Sequence, residues 1–136
     1  MKRVLVLQEL IADSLVKEGI NLDREALRWA AGLHDLGRID DGIDPDHGKR
    51  GGEWIANSLK GTIPSDIFET VIYLVTWHNI SDDQIPKMTD EMAVLKDADA
   101  LDRIRINDLD PTRLRFEISK SLIAVSQRLH VHDQID

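Results

Sequence analysis

The sequence predicts an all-α fold, a single compact bundle of about six helices, and three observations support this prediction. Apolar residues recur at intervals of three and four along most of the chain, which is the period of a helix with one buried face. No segment alternates apolar and polar residues as a half-buried strand does. The length of 136 residues suits one domain, and no repeat, linker or low-complexity tract divides it. We therefore expect residues 1–136 to form a single domain.

The first helix is predicted from Val4 to Val16, and Gly19 follows as its stop signal. Its expected buried stripe consists of apolar residues at helical spacing. These are Val4, Leu7, Leu10, Ile11 and Leu15.

The second helix is predicted to begin after Asp23, whose carboxylate can cap the first free peptide N–H groups. It is expected to run to about Leu36 and to end at Gly37. The segment from Gly37 to Asp46 is dense in Asp, Gly and Pro, which predicts a surface loop. A third helix is expected from His47 to about Leu59.

The second half of the chain predicts three more helices. The fourth opens at Pro64 or Ser65 and ends near His78, and the fifth follows Thr89 and continues through Leu101. Asp110 and Pro111 predict the start of the sixth, with a cap followed by proline in the first turn. Its expected buried stripe is Leu114, Ile118, Leu122, Val125 and Leu129.

The composition excludes several classes of function. Lys and Arg number 17 and Asp and Glu number 25, so the formal net charge is −8. A broad electrostatic contact with duplex nucleic acid or an anionic membrane is therefore disfavoured. The chain has no cysteine, which excludes disulfides, thiolate metal sites and cysteine nucleophiles. With no signal-peptide pattern and no apolar run of about 20 residues, we expect a cytoplasmic protein.

Three of the five histidines lie at predicted helix ends, namely His34, His47 and His78. A metal ion needs ligands from several elements that converge on one point, and helix ends beside a loop provide both convergence and access. Helix C-termini, where His34 and His78 are expected, also carry partial negative charge that favours a cation. The pattern indicates a metal site.

Two carboxylates extend this candidate site. Asp35 follows His34 directly, near enough to serve the same metal or a neighbouring one. Asp99 lies beside the apolar face of the fifth helix, so we expect its side chain to point toward the interior. A carboxylate there needs a partner, and a metal ion would be one.

These residues carry a resemblance to a known family. Ala30-Ala31-Gly32-Leu33-His34-Asp35-Leu36-Gly37 resembles the His-Asp signature of the HD-domain superfamily of metal-dependent phosphohydrolases. Ala98-Asp99-Ala100-Leu101-Asp102 resembles the second signature of that superfamily, which contains a metal-binding aspartate. His47 with the following Gly48 to Gly52, and Trp77-His78-Asn79, match the places of two further histidines in its binuclear branches. The resemblance extends from residue 3 to about residue 105.

The resemblance implies a metal centre of one or two divalent ions, drawn from Mn, Fe, Mg, Co or Zn. One ion would be held by His34, Asp35 and Asp99, and Asp35 would bridge to a second ion held by His47 and His78. The implied activity is hydrolysis of a phosphate ester of a small molecule, most plausibly a nucleotide or related metabolite, by metal-activated water. The enzyme would be a phosphomonoesterase or a phosphodiesterase.

One feature departs from the family pattern. The first metal-ligand histidine of the family lies on the first helix, and the first helix here has none. Because Lys2-Arg3-Val4 resembles the residues that follow that histidine, we expect the chain to begin inside a longer reading frame, with loss of the ligand as the alternative. Loss would favour a catalytically degenerate module that binds a nucleotide or a partner protein. A purely structural helical protein would leave the three helix-end histidines unexplained.

Basic residues near the His-Asp pair are candidates for contacts with phosphate. We expect Asp35, Arg38 and Lys49 to act in catalysis, and Arg50 is a further candidate for phosphate contact. Asp40 and Asp102 are weaker candidates for proton transfer or for supporting the ligands.

Overall fold

The computed structural model describes residues 2–39, 44–103 and 111–135, which form seven α-helices joined by turns. It contains no strand within these ranges, so the all-α prediction is confirmed. Asp40 and Asp110 lie outside the described residues. The helices are α1 (Lys2–Lys17), α2 (Arg24–Leu33), α3 (His47–Ser58), α4 (Phe68–Trp77), α5 (Asp90–Asp102), α6 (Glu117–Ser121) and α7 (Ile123–Ile135).

Local capping signals predicted several helix ends correctly. The Asp23 carboxylate accepts a hydrogen bond from the Ala26 N–H at 3.1 Å, and the Thr89 hydroxyl accepts one from the Met92 N–H at 3.1 Å. Gly19 has φ of 94°, a conformation that suits glycine, and the next N–H, of Ile20, closes onto the Leu15 carbonyl at 3.0 Å.

Other predicted boundaries differ from the structure. α2 ends at Leu33 rather than near Leu36, and α4 begins at Phe68 rather than at Pro64 or Ser65. After Leu33 the chain closes tighter turns, such as the Leu36 N–H to the Leu33 carbonyl at 3.0 Å.

The predicted sixth helix is divided into a 3-10 turn at Pro111–Arg113, α6 and α7. The N–H groups of Arg115 and Phe116 would bond carbonyls four residues earlier in a helix that began at Pro111. Instead both donate to the Asp97 carboxylate on α5, at 2.9 Å and 3.1 Å. The regular helix therefore starts only at Glu117.

The core lies between α1 and its neighbours. α1 packs against α2 and α5, while α4 packs against α2 and α3. Leu10, predicted to be buried, is 40% exposed, whereas Gln8 is fully buried. Since α1 contacts two helices at once, its buried face is displaced from the predicted stripe toward Gln8 and Ala12. No described helix is long and apolar enough to cross a membrane.

Glycines on α3 allow it to lie directly against α4. A Cβ atom built on Gly48 would lie 2.6 Å from the Thr76 carbonyl oxygen and 2.8 Å from that of Val75. A Cβ atom on Gly52 would collide with the Thr76 hydroxyl. This close approach brings the N-terminus of α3 to the C-terminus of α4.

Replacing Gly48 by alanine is therefore expected to lower the free energy of unfolding by about 1–3 kcal/mol, the usual cost of overpacking. Backbone carbonyls cannot move aside as a flexible side chain can, so α3 and α4 must separate. Thermal unfolding of Gly48→Ala and Gly32→Ala compares the two sites. Gly32 lies in α2 and its added Cβ would meet nothing within 4 Å. Equal melting temperatures for the two variants would contradict the prediction.

Candidate metal centre

Five side chains converge beside the α3–α4 contact, and they come from the ends of α2, α3 and α4 and from the middle of α5. His34 and Asp35 are the first two residues after α2, and His47 is the first residue of α3. His78 comes directly after α4, and Asp99 lies on α5. The three histidines are buried. The helix-end placement expected for them is confirmed.

Asp35, His47 and His78 form the tighter part of this cluster. Their candidate ligand atoms all lie within 4.8 Å of one another. The Nε2 atoms of His47 and His78 are 3.0 Å apart, and His47 Nε2 is 3.5 Å from Asp35 Oδ1. Three donors at this spacing can share one cation.

His34 occupies the other side of Asp35. Its Nε2 atom lies 3.3 Å from Asp35 Oδ2 and 3.3 Å from Asp99 Oδ1. The rings of His34 and His78 meet edge to face, with centroids 5.3 Å apart. The two oxygens of Asp35 therefore face different histidines, and the structure brings all five predicted ligands into one connected cluster.

Each histidine ring is oriented by the backbone carbonyl three residues earlier in the chain. The Nδ1 atoms of His34, His47 and His78 lie 2.8, 2.7 and 2.6 Å from the carbonyl oxygens of Ala31, Asp44 and Val75. A carbonyl oxygen only accepts, so each Nδ1 carries the proton and donates it. Each Nε2 is thereby directed into the cluster, as in metal-ligating histidines.

The electrostatics of the cluster differ between its two sides. Burial alone would lower the pKa of His34, but the contacts and charges of Asp35 and Asp99 outweigh it and raise this pKa to about 10. Burial would raise the pKa of both carboxyls, but the His34 cation holds them below their usual range. Burial lowers the pKa of His78 to about 4, so its ring is neutral at pH 7.

The donor set fits a divalent metal ion. In neutral rings both Nε2 atoms of His47 and His78 carry lone pairs that face each other at 3.0 Å, and a proton on one of them or a cation bound by both relieves the repulsion. His34 Nε2 is buried and has no well-formed hydrogen bond among the described residues. Imidazole nitrogens combined with carboxylate oxygens suit Mn, Fe, Co or Zn better than they suit Mg, which prefers oxygen.

The three basic residues predicted to contact phosphate lie in different environments. Arg38 lies at the edge of the cluster, with Nε 3.8 Å from Asp35 Oδ1, and Lys49 is exposed on the first turn of α3. Arg50 instead connects α3 to Gly37 and Asp44, which lie before it in the chain. It donates to the Gly37 carbonyl at 3.0 Å and to both oxygens of Asp44 at 2.5 Å.

Asp102, a weaker candidate for proton transfer or for supporting the ligands, forms an ion pair away from the cluster. Its Oδ1 accepts from Arg3 Nε at 2.6 Å, and both side chains are largely buried. This ion pair joins the start of α1 to the end of α5.

A cavity of about 910 Å³ opens beside the cluster, and its basic side was not predicted. His78 and Asp99 line it together with Lys96, Arg103, Arg113 and Arg115. Arg113 and Arg115 fall within the predicted sixth helix, and neither was predicted to be a site residue. The signal that was missing is the long-range contact with Asp97, which no local pattern reveals.

Asp97 fixes the segment that carries these arginines. It is fully buried and accepts hydrogen bonds from two backbone N–H groups, from Arg115 Nη1 at 3.0 Å and from Ser119 Oγ at 2.6 Å. Asp82 holds the same guanidinium group at 2.7 Å and Lys96 Nζ at 2.8 Å. The segment after residue 110 is thus tied to α5 at the rim of the cavity.

Comparison with known proteins identifies a family for most of this chain. The sequence matches the HD domain over residues 1–104, which is about three quarters of the chain and contains all five residues of the cluster. Neither the search of curated proteins nor the search of solved structures found a match. On the strength of the matched residues, the chain belongs to the HD domain family, within the superfamily of metal-dependent phosphohydrolases.

Proposed function

We propose that this protein is a metal-dependent hydrolase that acts on a phosphate ester of a small molecule, a nucleotide or related metabolite. The observation that carries the proposal is the pair of Nε2 atoms of His47 and His78, 3.0 Å apart beside the Asp35 carboxylate. Backbone carbonyls hold both rings so that these atoms face each other. Burial of two ring nitrogens at this distance costs free energy unless a proton or a cation lies between them, and the Asp35 carboxylate beside them favours a cation.

The residues divide into two overlapping ligand sets. His34, Asp35 and Asp99 would hold one divalent ion, and Asp35, His47 and His78 would hold another. Asp35 belongs to both sets because its Oδ2 faces His34 and its Oδ1 faces His47. Divalent ions bound there would supply the Lewis acidity that lowers the pKa of water and neutralises a phosphoryl group.

The protein contributes orientation and charge around this centre. We assign Arg38, at the edge of the cluster, and Lys49, two residues after His47, to contacts with the phosphoryl oxygens. The arginine suits this role because its planar guanidinium group can donate two parallel hydrogen bonds. The cavity beside His78 and Asp99 gives the substrate access.

The test is the metal content of protein purified without chelator or nickel affinity, combined with a screen for phosphate release from small phosphate esters in added Mn²⁺. We expect one or two equivalents of a transition metal, lost or strongly reduced in His78→Ala. His130→Ala is the matched control, since His130 lies on α7 outside the cluster. Retained folding of both variants is checked by circular dichroism.

The outcomes separate the alternatives. No metal uptake by the parent, even after incubation with Mn²⁺ or Co²⁺, overturns the proposal. Metal uptake without phosphate release from any ester instead supports a module that binds its ligand without turnover.

A further inference from the structure

The cavity beside the metal centre is larger than one phosphate group requires. Its volume of about 910 Å³ lies within the range of sites that enclose a whole small molecule. His78 and Asp99 mark one side, where the cavity meets the ligand cluster. Ile80 and Ala100 also line it and offer apolar surface.

The basic lining consists of four cations whose charges are not equally compensated. Lys96 and Arg115 are paired with Asp82, and Arg115 also with the buried Asp97. Arg103 has contacts of its own. Arg113 is exposed and has no ion-pair partner among the described residues.

The carboxylates of the lining do not cancel this charge. Asp82 is occupied by Lys96 and Arg115, and Asp99 belongs to the ligand cluster. Asp83 is the remaining acidic residue of the lining, and it is exposed. Within the described part of the chain, Arg113 is therefore the cation of this lining that no carboxylate pairs with.

The position of Arg113 is fixed by its neighbours rather than by its own contacts. Leu114, the next residue, is buried, and the N–H of Arg115 is held by Asp97 at 2.9 Å. An arginine anchored on rigid backbone loses less entropy when it binds an anion than one on a free loop. Guanidinium groups bind phosphate-type anions through paired charge-assisted hydrogen bonds.

We propose that Arg113 binds a second phosphate-type anion of the substrate, so that the substrate class is a phosphate ester with two such groups. The inference rests on the proposed function, which places the scissile phosphate at the metal centre. Both anions would lie in one cavity, with the body of the molecule against Ile80 and Ala100.

The test uses ligands that cannot be hydrolysed. Calorimetric titrations compare α,ω-alkylenebisphosphonates of two to six carbons with the alkylphosphonates of the same length, at one ionic strength. Protein is used as purified and after loading with Mn²⁺. We expect one bisphosphonate length to bind at least about tenfold more tightly than its monophosphonate, in line with an added charge-assisted contact. Arg113→Gln should abolish that preference and leave monophosphonate affinity unchanged.

Arg128→Gln provides the matched control. Arg128 is an exposed arginine of α7 that does not line the cavity, so its loss should leave the preference intact. A parent protein that binds monophosphonates without preferring any bisphosphonate overturns this inference and leaves the proposed function standing. A preference for a bisphosphonate that persists in Arg113→Gln also overturns this inference. Failure of the proposed function is recognised separately, by the absence of metal uptake.

Discussion

Replacement of Asp35 by asparagine is expected to abolish metal-dependent phosphate release while leaving the protein folded. The Asp35 oxygens are 3.3 Å from His34 Nε2 and 3.5 Å from His47 Nε2, so this carboxylate joins both halves of the cluster. Asparagine keeps the shape and removes the charge that attracts a divalent ion. Since changes behind the ligands already cost about 10–100-fold in metal affinity or activity, we expect a loss of at least about 100-fold.

The measurement is phosphate release at saturating Mn²⁺, together with metal content and circular dichroism. Asp66→Asn is the matched control, because Asp66 is an exposed carboxylate in the turn before α4. Full activity in Asp35→Asn would refute the mechanism. A variant that has lost both activity and its helical signal would not count as support, and Asp35→Glu, which retains the charge, would then be compared.

Replacement of Asp97 by alanine is expected to lower the free energy of unfolding by about 3–5 kcal/mol, the usual cost of removing one partner of a buried charged pair. Asp97 is fully buried and holds the N–H groups of Arg115 and Phe116 as well as the Ser119 hydroxyl. Without it, these donors lose their acceptor and half-buried Arg115 loses one of its two carboxylate partners.

Urea denaturation followed by circular dichroism measures the effect. Asp83→Ala, at an exposed carboxylate near the same segment, should change the free energy of unfolding by less than about 0.5 kcal/mol. Asp97→Asn should fall between the parent and Asp97→Ala, because an amide oxygen can still accept one or two of these hydrogen bonds. An Asp97→Ala protein as stable as Asp83→Ala would contradict this assignment.

The features of the fold that were predicted correctly depend on contacts between residues that are close in the sequence. The caps at Asp23 and Thr89 and the stop at Gly19 each involve partners within five residues, and each is present. The course of the chain after Pro111 depends on Asp97, which is 18 residues before Arg115. Helical periodicity cannot report such a contact, and the predicted sixth helix was wrong at its start for that reason.

The sequence predicted the histidines of the candidate metal centre from their places at helix ends, and their role as ligands stays a prediction. Each lies at a helix end and points Nδ1 at the carbonyl three residues earlier, so position in the chain determines orientation. The basic side of the cavity did not follow from sequence. Arg113 and Arg115 lie beyond the matched residues 1–104, and tertiary contacts alone bring them there.

Three of the four aspartates of α5 have partners outside the helix, which constrains the length of α5. Asp97 holds the segment after residue 110, Asp99 faces His34, and Asp102 pairs with Arg3. Each residue of an α-helix turns the next by about 100°. One inserted or deleted residue before Asp97 would therefore rotate all three carboxylates away from their partners at once. Over evolutionary time, α5 should accept substitutions at its surface while excluding changes in length.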